Sequence, residues 1–410
     1  MNKKYLLGIC LLSFGLTLFA EDGSKLWLRQ ASCEKASVCC SISSPTITIA
    51  REELASLWRG KAVELQLFAD EVHHKLGKEG YTIRTSDEKI VLGSTTEQGL
   101  LYAAYHLLRL QAEGADCTRL DLAEKPAFDV RVLNHWDNLD GTIERGYAGK
   151  SLWQWDELSD TMSARYQEYA RANASVGING TVLNNVNASV KILSSEYLEK
   201  IRVLADIFRP YGIKVYLSVN FASPMQLGGL STADPLNEEV VEWWKKKVHE
   251  IYSLIPDFGG FLVKANSEGQ PGPCDYGRTH AEGANMMARA LKPYGGIVMW
   301  RAFVYSPSDA DRAKQAYLEF KPLDGKFLDN VIVQVKNGPI DFQPREPYSP
   351  LFGAMPHTPL MAEFQVTQEY LGHSNHLAYL ATMWKEFYRY VSPASLKGVA
   401  GVANIGDDFF

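Results

Sequence analysis

Eight short apolar runs with helical stretches between them constrain this chain more than any other feature. The strand-like runs cover residues 130–136, 177–186, 214–221, 259–268, 295–305, 331–341, 360–369 and 398–405. Helical apolar spacing occupies 161–174, 195–209, 238–254, 279–292 and 376–390. Strands covered by helices on their outer face read as near-continuous apolar runs. Eight of them alternating with helices is the count of a (β/α)8 barrel. An open, doubly wound sheet is the alternative, but no GxGxxG turn follows any run. The fold expectation is therefore α/β, a TIM-type barrel over 126–410 behind a small α+β domain at 21–125.

In the smaller unit, residues 46–50 alternate like a strand, 60–77 have helical spacing through Val63, Leu67 and Val72, and 81–84 and 89–94 read as strands. A helix is expected over 96–112, with Thr95 and Gln98 as its capping box. Glu124-Lys-Pro-Ala127 breaks the pattern and marks the boundary. The first twenty residues carry Lys3 and Lys4, an apolar stretch over 5–19, and Ala20 as a cleavage position. That is the layout of a secretory signal and implies a periplasmic or secreted protein, a retained anchor being the alternative. The chain ends at Phe410, just after the eighth run. No final helix is expected to cover that strand, as in a truncated product, coverage of the gap by the first domain being the alternative.

A net charge of −6 without a long basic block argues against nucleic acid as partner. Beyond the leader, Cys33, Cys39, Cys40, Cys117 and Cys274 form neither a disulfide framework nor a zinc pair, and at most one bridge is expected. Asp70, Glu71, His73 and His74 read as a solvated helix face rather than a metal cluster. HExxH, Walker and GxSxG motifs are absent from the sequence.

Carboxylates stand at the ends of three late runs: Glu268, Asp341 and Glu369. Barrel enzymes keep their chemistry at that end of the strands, and two opposed carboxyl groups are the minimum for cleaving a glycosidic bond. Gly269-Gln-Pro-Gly-Pro273 forces a turn directly after Glu268. Apolar walls would keep its proton on near neutrality, the state a general acid needs. Taken singly, each acid is equally well a loop cap or an ion-pair partner. Lys264, Arg301 and Lys336 lie inside or at the end of apolar runs, where a cation is costly without a negative partner. Period-two alternation puts Lys264 and Glu268 on one side of their strand. Either the three cations neutralise the three acids, or they receive a substrate with its own carboxylate. Trp136, ending the first run, is a core residue or a sugar platform.

Val132-Leu-Asn-His-Trp-Asp-Asn-Leu-Asp-Gly-Thr-Ile-Glu-Arg-Gly-Tyr-Ala-Gly149, the segment 264–269, Gln368-Glu-Tyr-Leu-Gly372 and Gly401-Val-Ala-Asn-Ile-Gly406 resemble the α-glucuronidases of glycoside hydrolase family 67. The resemblance runs from about residue 26 to 406. It implies inverting removal of α-1,2-linked glucuronic acid, or its 4-O-methyl form, from xylo-oligosaccharides, with no metal or other cofactor. It implies Glu268 as general acid, Asp341 and Glu369 as the pair activating water, and Lys264, Arg301 and Lys336 around the uronate carboxylate. Trp136 would line the sugar pocket and Val186 would sit near the methyl ether. The family continues into a helical C-terminal domain that contributes to the site and to dimerisation. Without it, this chain is expected to be weakly active or unstable alone, and the family's homodimer is not expected. An inactive sugar-binding remnant and a hexosaminidase-like glycosidase are the other readings. Against the latter, Ser267 rather than an aspartate precedes Glu268.

Overall fold

The computed structural model describes residues 25–28, 36–146, 149–158, 163–304, 311–339, 342, 347–366 and 379–403. Five strands form the first sheet: β1 (Val38–Cys40), β2 (Ala62–Leu67), β3 (Tyr81–Thr85), β4 (Lys89–Ser94) and β5 (Asp121–Glu124), in the order β1-β2-β4-β3-β5. Pairing is parallel from β1 through β2 to β4 and antiparallel from β4 through β3 to β5. Helices Pro45–Leu57 and Glu97–Ala112 pack on each other, the second against the sheet.

Four sequence expectations fail in this unit. Residues 46–50 are helical, because Ser44 caps the Ile47 amide and Pro45 takes the first helical position. That start signal overrides the β-branched alternation. Residues 62–67 form strand β2, whose buried Val63 and Leu65 obey period two, so the helical spacing through Val63 and Leu67 was fortuitous. The cap of helix Glu97–Ala112 is Thr96, not Thr95, and it accepts from the Gly99 amide. His73 is buried rather than on a solvated face. Its Nδ1 lies 2.7 Å from the capping Asp70, and its Nε2 lies 3.0 Å from Thr82.

The remaining strands are β6 (Val130–His135), β7 (Gly180–Val182), β8 (Lys214–Ser218), β9 (Gly260–Val263), β10 (Ile297–Arg301), β11 (Val331–Lys336), β12 (Leu360–Gln365) and β13 (Gly398–Ala403). All pair in parallel, and β13 returns to β6 to close the barrel. Every strand ends short of its apolar run, because the loops beyond continue with buried residues such as Ala265, Ala302 and Val304. Helices Ala164–Ser175, Ser195–Phe208, Glu238–Leu254, His280–Leu291, Arg312–Phe320 and Ala381–Tyr390 lie between them in sequence. Arg209-Pro-Tyr-Gly212 and Lys292-Pro-Tyr-Gly295 end two of these helices alike, each glycine at a φ near +70° (72° and 75°) that a side chain would strain. The outer face of β13 carries Val399 and Gly401, both half-buried, and the buried Ala403.

The two units are tied by ion pairs. Arg171 of helix Ala164–Ser175 donates to both Glu53 oxygens, one at 2.9 Å, and Tyr105 adds a bond to Glu53 of 3.2 Å. Arg131 of β6 reaches Glu79 at 2.9 Å. Arg171→Ala is expected to cost about 1.5–3 kcal/mol, the range for bonds to charged groups. Chemical denaturation would read this as a lower midpoint.

Candidate active site at the carboxyl end of the barrel

Inside the barrel, each strand changes character along its length. Val132, Val182, Tyr216, Leu262, Met299, Ile332, Met361 and Ala400 form an apolar plug. Two residues further along, the inward positions are Asn134, Asn184, Ser218, Lys264, Arg301, Gln334, Glu363 and Val402. Seven of these eight are polar and all are buried. The plug closes one end, so a polar floor opens only toward the carboxyl ends of the strands.

Three cations converge on that floor around one aromatic ring. The charged groups of Lys264, Arg301 and Lys336 lie 5.7, 5.5 and 3.5 Å from the centroid of Phe303. Arg301 also faces Trp136 at 5.7 Å, and Lys336 faces Phe342 at 4.7 Å. The negative faces of these rings lower the cost of gathering like charges. Arg301 is fixed by Glu363 of β12, which accepts from Nε at 2.9 Å and from Nη2 at 2.6 Å. Gln334 donates to the same carboxylate. Burial raises the Glu363 pKa, but the Arg301 charge and hydrogen bonds, then Lys336 and Gln334, outweigh it and hold the carboxyl below its usual range. The grip is bidentate, through Nε and Nη2 together.

Glu268 sits beside this cluster. Lys264 Nζ donates to Glu268 Oε2 and, at 2.8 Å, to Asn187 Oδ1. Arg145 approaches Glu268 Oε1 at 3.7 Å and its neighbour Glu144 at 3.4 Å. Burial pushes the Glu144 carboxyl up, Arg145 and an Asn185 bond opposing. Burial pulls the Lys264 ammonium down, against the Glu268 bond. The expected strand pleat does not create the Lys264–Glu268 contact, since β9 ends at Val263. The turn does so instead, with Asn266 at φ 50° and Glu268 at φ 51°. Left-handed backbone at a non-glycine residue is costly and concentrates at functional sites. Glu144 (φ 53°) and Phe342 (φ 59°) repeat it around the same rim.

Trp136 and Val186 both belong to the buried inner cluster, two residues beyond Asn134 and Asn184 of the floor. Asp341 and Glu369 lie outside the described residues. Among the described residues, no protein partner meets the Trp136 indole N–H, the side-chain amide of Asn134 or Gln334 Oε1. The sequence reading passed over Phe303, Glu363, Asn187, Glu144 and Arg145. Glu363 carried a usable signal: an acid inside an apolar strand needs a cation as much as Arg301 needs an anion.

A closed parallel barrel with its charged groups gathered at the carboxyl rim has the architecture of a (β/α)8 enzyme. The model for the glycosyl hydrolase family 67 middle domain matches residues 110–394, and the chain belongs to that family. It is 50% identical over 317 residues to a probable alpha-glucuronidase A of Aspergillus clavatus, covering 76% of this chain and 38% of that protein. It is 46% identical over 362 residues to an alpha-glucuronidase of Hypocrea jecorina, covering 81% and 43%. The chain thus spans about two fifths of the length of these relatives. Among solved structures, a GH138 enzyme targeting pectin rhamnogalacturonan II superposes with a TM-score of 0.57 at 15% identity, covering 89% of this chain and 46% of that one. At that identity the likeness concerns the fold alone. No helix among the described residues is long and apolar enough to cross a membrane.

Proposed function

We propose that this chain is a glycosidase that removes α-1,2-linked glucuronic acid, or its 4-O-methyl ether, from xylo-oligosaccharides by a single, inverting displacement. The observation that carries the reading is the convergence of Lys264, Arg301 and Lys336 on Phe303 beside Glu268. Three cations gathered around one aromatic ring suit the carboxylate of an acidic sugar. The names of the relatives point the same way.

In this reading the uronate carboxylate enters among the three cations. The sugar ring stacks against Trp136, while the unmatched indole N–H and Asn134 amide receive its hydroxyl groups. Val186 borders the O4 position. Glu268 protonates the departing xylose oxygen. Asp341 and Glu369 draw a proton from water on the opposite face of the ring. No cofactor is needed for this chemistry. The signal-like first twenty residues support action in the periplasm or outside the cell, on xylan fragments.

Release of glucuronate from aldouronic acids, with the first-formed anomer followed by proton NMR, tests the reading. The β-anomer is expected first. Tight binding with no release would leave a sugar-binding remnant, and the α-anomer would remove the single displacement. A second test concerns the shared ring. Phe303→Leu is expected to raise KM for uronates about 2- to 30-fold, matching about 0.5–2 kcal/mol of lost cation–ring attraction. Competition by neutral xylo-oligosaccharides is expected to stay unchanged. Equal weakening of both would assign Phe303 to general packing.

A further inference from the structure

The contact between Lys264 and Glu268 sets a problem for the reaction just described, and its solution rests on that reading. A general acid must carry a proton, yet Glu268 meets an ammonium at Lys264 and a guanidinium 3.7 Å away at Arg145. Both favour its carboxylate form. We propose that the uronate of the substrate arms Glu268: it takes Lys264 as its own partner, and Glu268 then binds a proton from solvent.

The geometry permits the exchange. Lys264 is nearly fully buried and anchored by Asn187 at 2.8 Å, so its ammonium stays on the floor whichever anion it meets. Arg301 and Lys336 share Phe303 with it, so an anion drawn to these cations enters beside all three. Among the described residues, charged groups reach Glu268 from three elements. Lys264 comes from the end of β9, Arg145 and Glu144 from the loop after β6, and Arg301 acts on Lys264 from β10. When the uronate arrives, a further negative charge enters beside Glu268 and Glu144, and like charges disfavour ionisation. One proton added to the Glu268 carboxylate restores the balance: Lys264 still faces one anion, now the sugar's. No bond other than the new O–H forms, and the proton comes from bulk water or buffer. The device also selects substrates, since a neutral sugar leaves Glu268 paired with Lys264 and unprotonated.

Calorimetry of D-glucuronate binding in buffers of different ionisation enthalpy reads the exchange directly. Near neutral pH the protein is expected to take up about one proton per glucuronate bound. Glucuronamide, which lacks the charge, is expected to cause none. Glu268→Gln is expected to bind glucuronate and abolish the uptake. Binding without uptake, or uptake that survives in Glu268→Gln, overturns the proposal while leaving the glycosidase reading intact. Failure both to bind glucuronate and to release it from aldouronic acids overturns the reading itself. Should the monosaccharide bind too weakly, pH profiles on aldouronic acids decide. The basic limb of kcat, which reports the substrate complex, is expected at higher pH than that of kcat/KM, which reports the free enzyme. Coincident limbs would overturn the exchange.

Discussion

Glu268→Gln is expected to slow release of glucuronate from aldouronic acids by about 10²–10⁴-fold, the usual worth of a positioned proton donor. The amide still accepts from Lys264, so the turn through Asn266 and Glu268 keeps its tie to the floor. The loss is expected to fall almost wholly on kcat. A glucuronide whose leaving group is a nitrophenol departs without protonation, and its cleavage is expected to survive nearly intact. That contrast separates an acid from a residue that merely shapes the pocket. Equal losses on both substrates would remove the assignment.

Glu363→Gln is expected to destabilise the fold by about 3–5 kcal/mol, because it leaves the buried Arg301 guanidinium without its counter-charge. Glu363 and Arg301 are both all but inaccessible to solvent, so water cannot replace the lost partner. The pH dependence follows from the direction of the shift. The folded-state pKa of Glu363 lies below the ordinary value of 4.5. Its stabilisation is therefore fully present above that value and is lost as pH falls through the lower, folded one. The deficit of Glu363→Gln measured at neutral pH is thus expected to narrow in acid. Arg301→Met combined with Glu363→Leu removes both charges and is expected to recover most of the stability. The double variant is not expected to recover uronate binding. A Glu363→Gln protein with an unchanged denaturation midpoint would show that the pair contributes little.

Periodicity located all eight barrel strands, because most are buried on both faces and each adjoins a helix in sequence. It overshot their carboxyl ends, where loops such as 264–268 and 302–304 remain buried after the ladder stops. Short segments were less legible: Ser44-Pro45 outweighed the Thr-Ile alternation that follows, a contest between capping and propensity with no tertiary information to settle it. In the site, Lys264, Arg301 and Lys336 could be found because charge within an apolar strand demands a partner. Glu363 satisfies the same rule from the other side. Depth along the barrel, which periodicity does not supply, distinguishes a carboxylate that braces Arg301 from one at the rim. Phe303 gave no signal, since an aromatic after a strand is ordinary core until three cations are seen around it.

The ring of cations on Phe303 has a bearing on turnover as well as on recognition. Under the proposed reaction, cleavage would leave the carboxylate where it was, so the clamp would grip liberated glucuronate as it gripped the intact oligosaccharide. The neutral xylo-oligosaccharide would then depart first, and escape of the acid from its cage would be the slow event. Dissolved salt, by weakening that hold, is expected to speed the cycle at saturating substrate while slowing capture at low substrate.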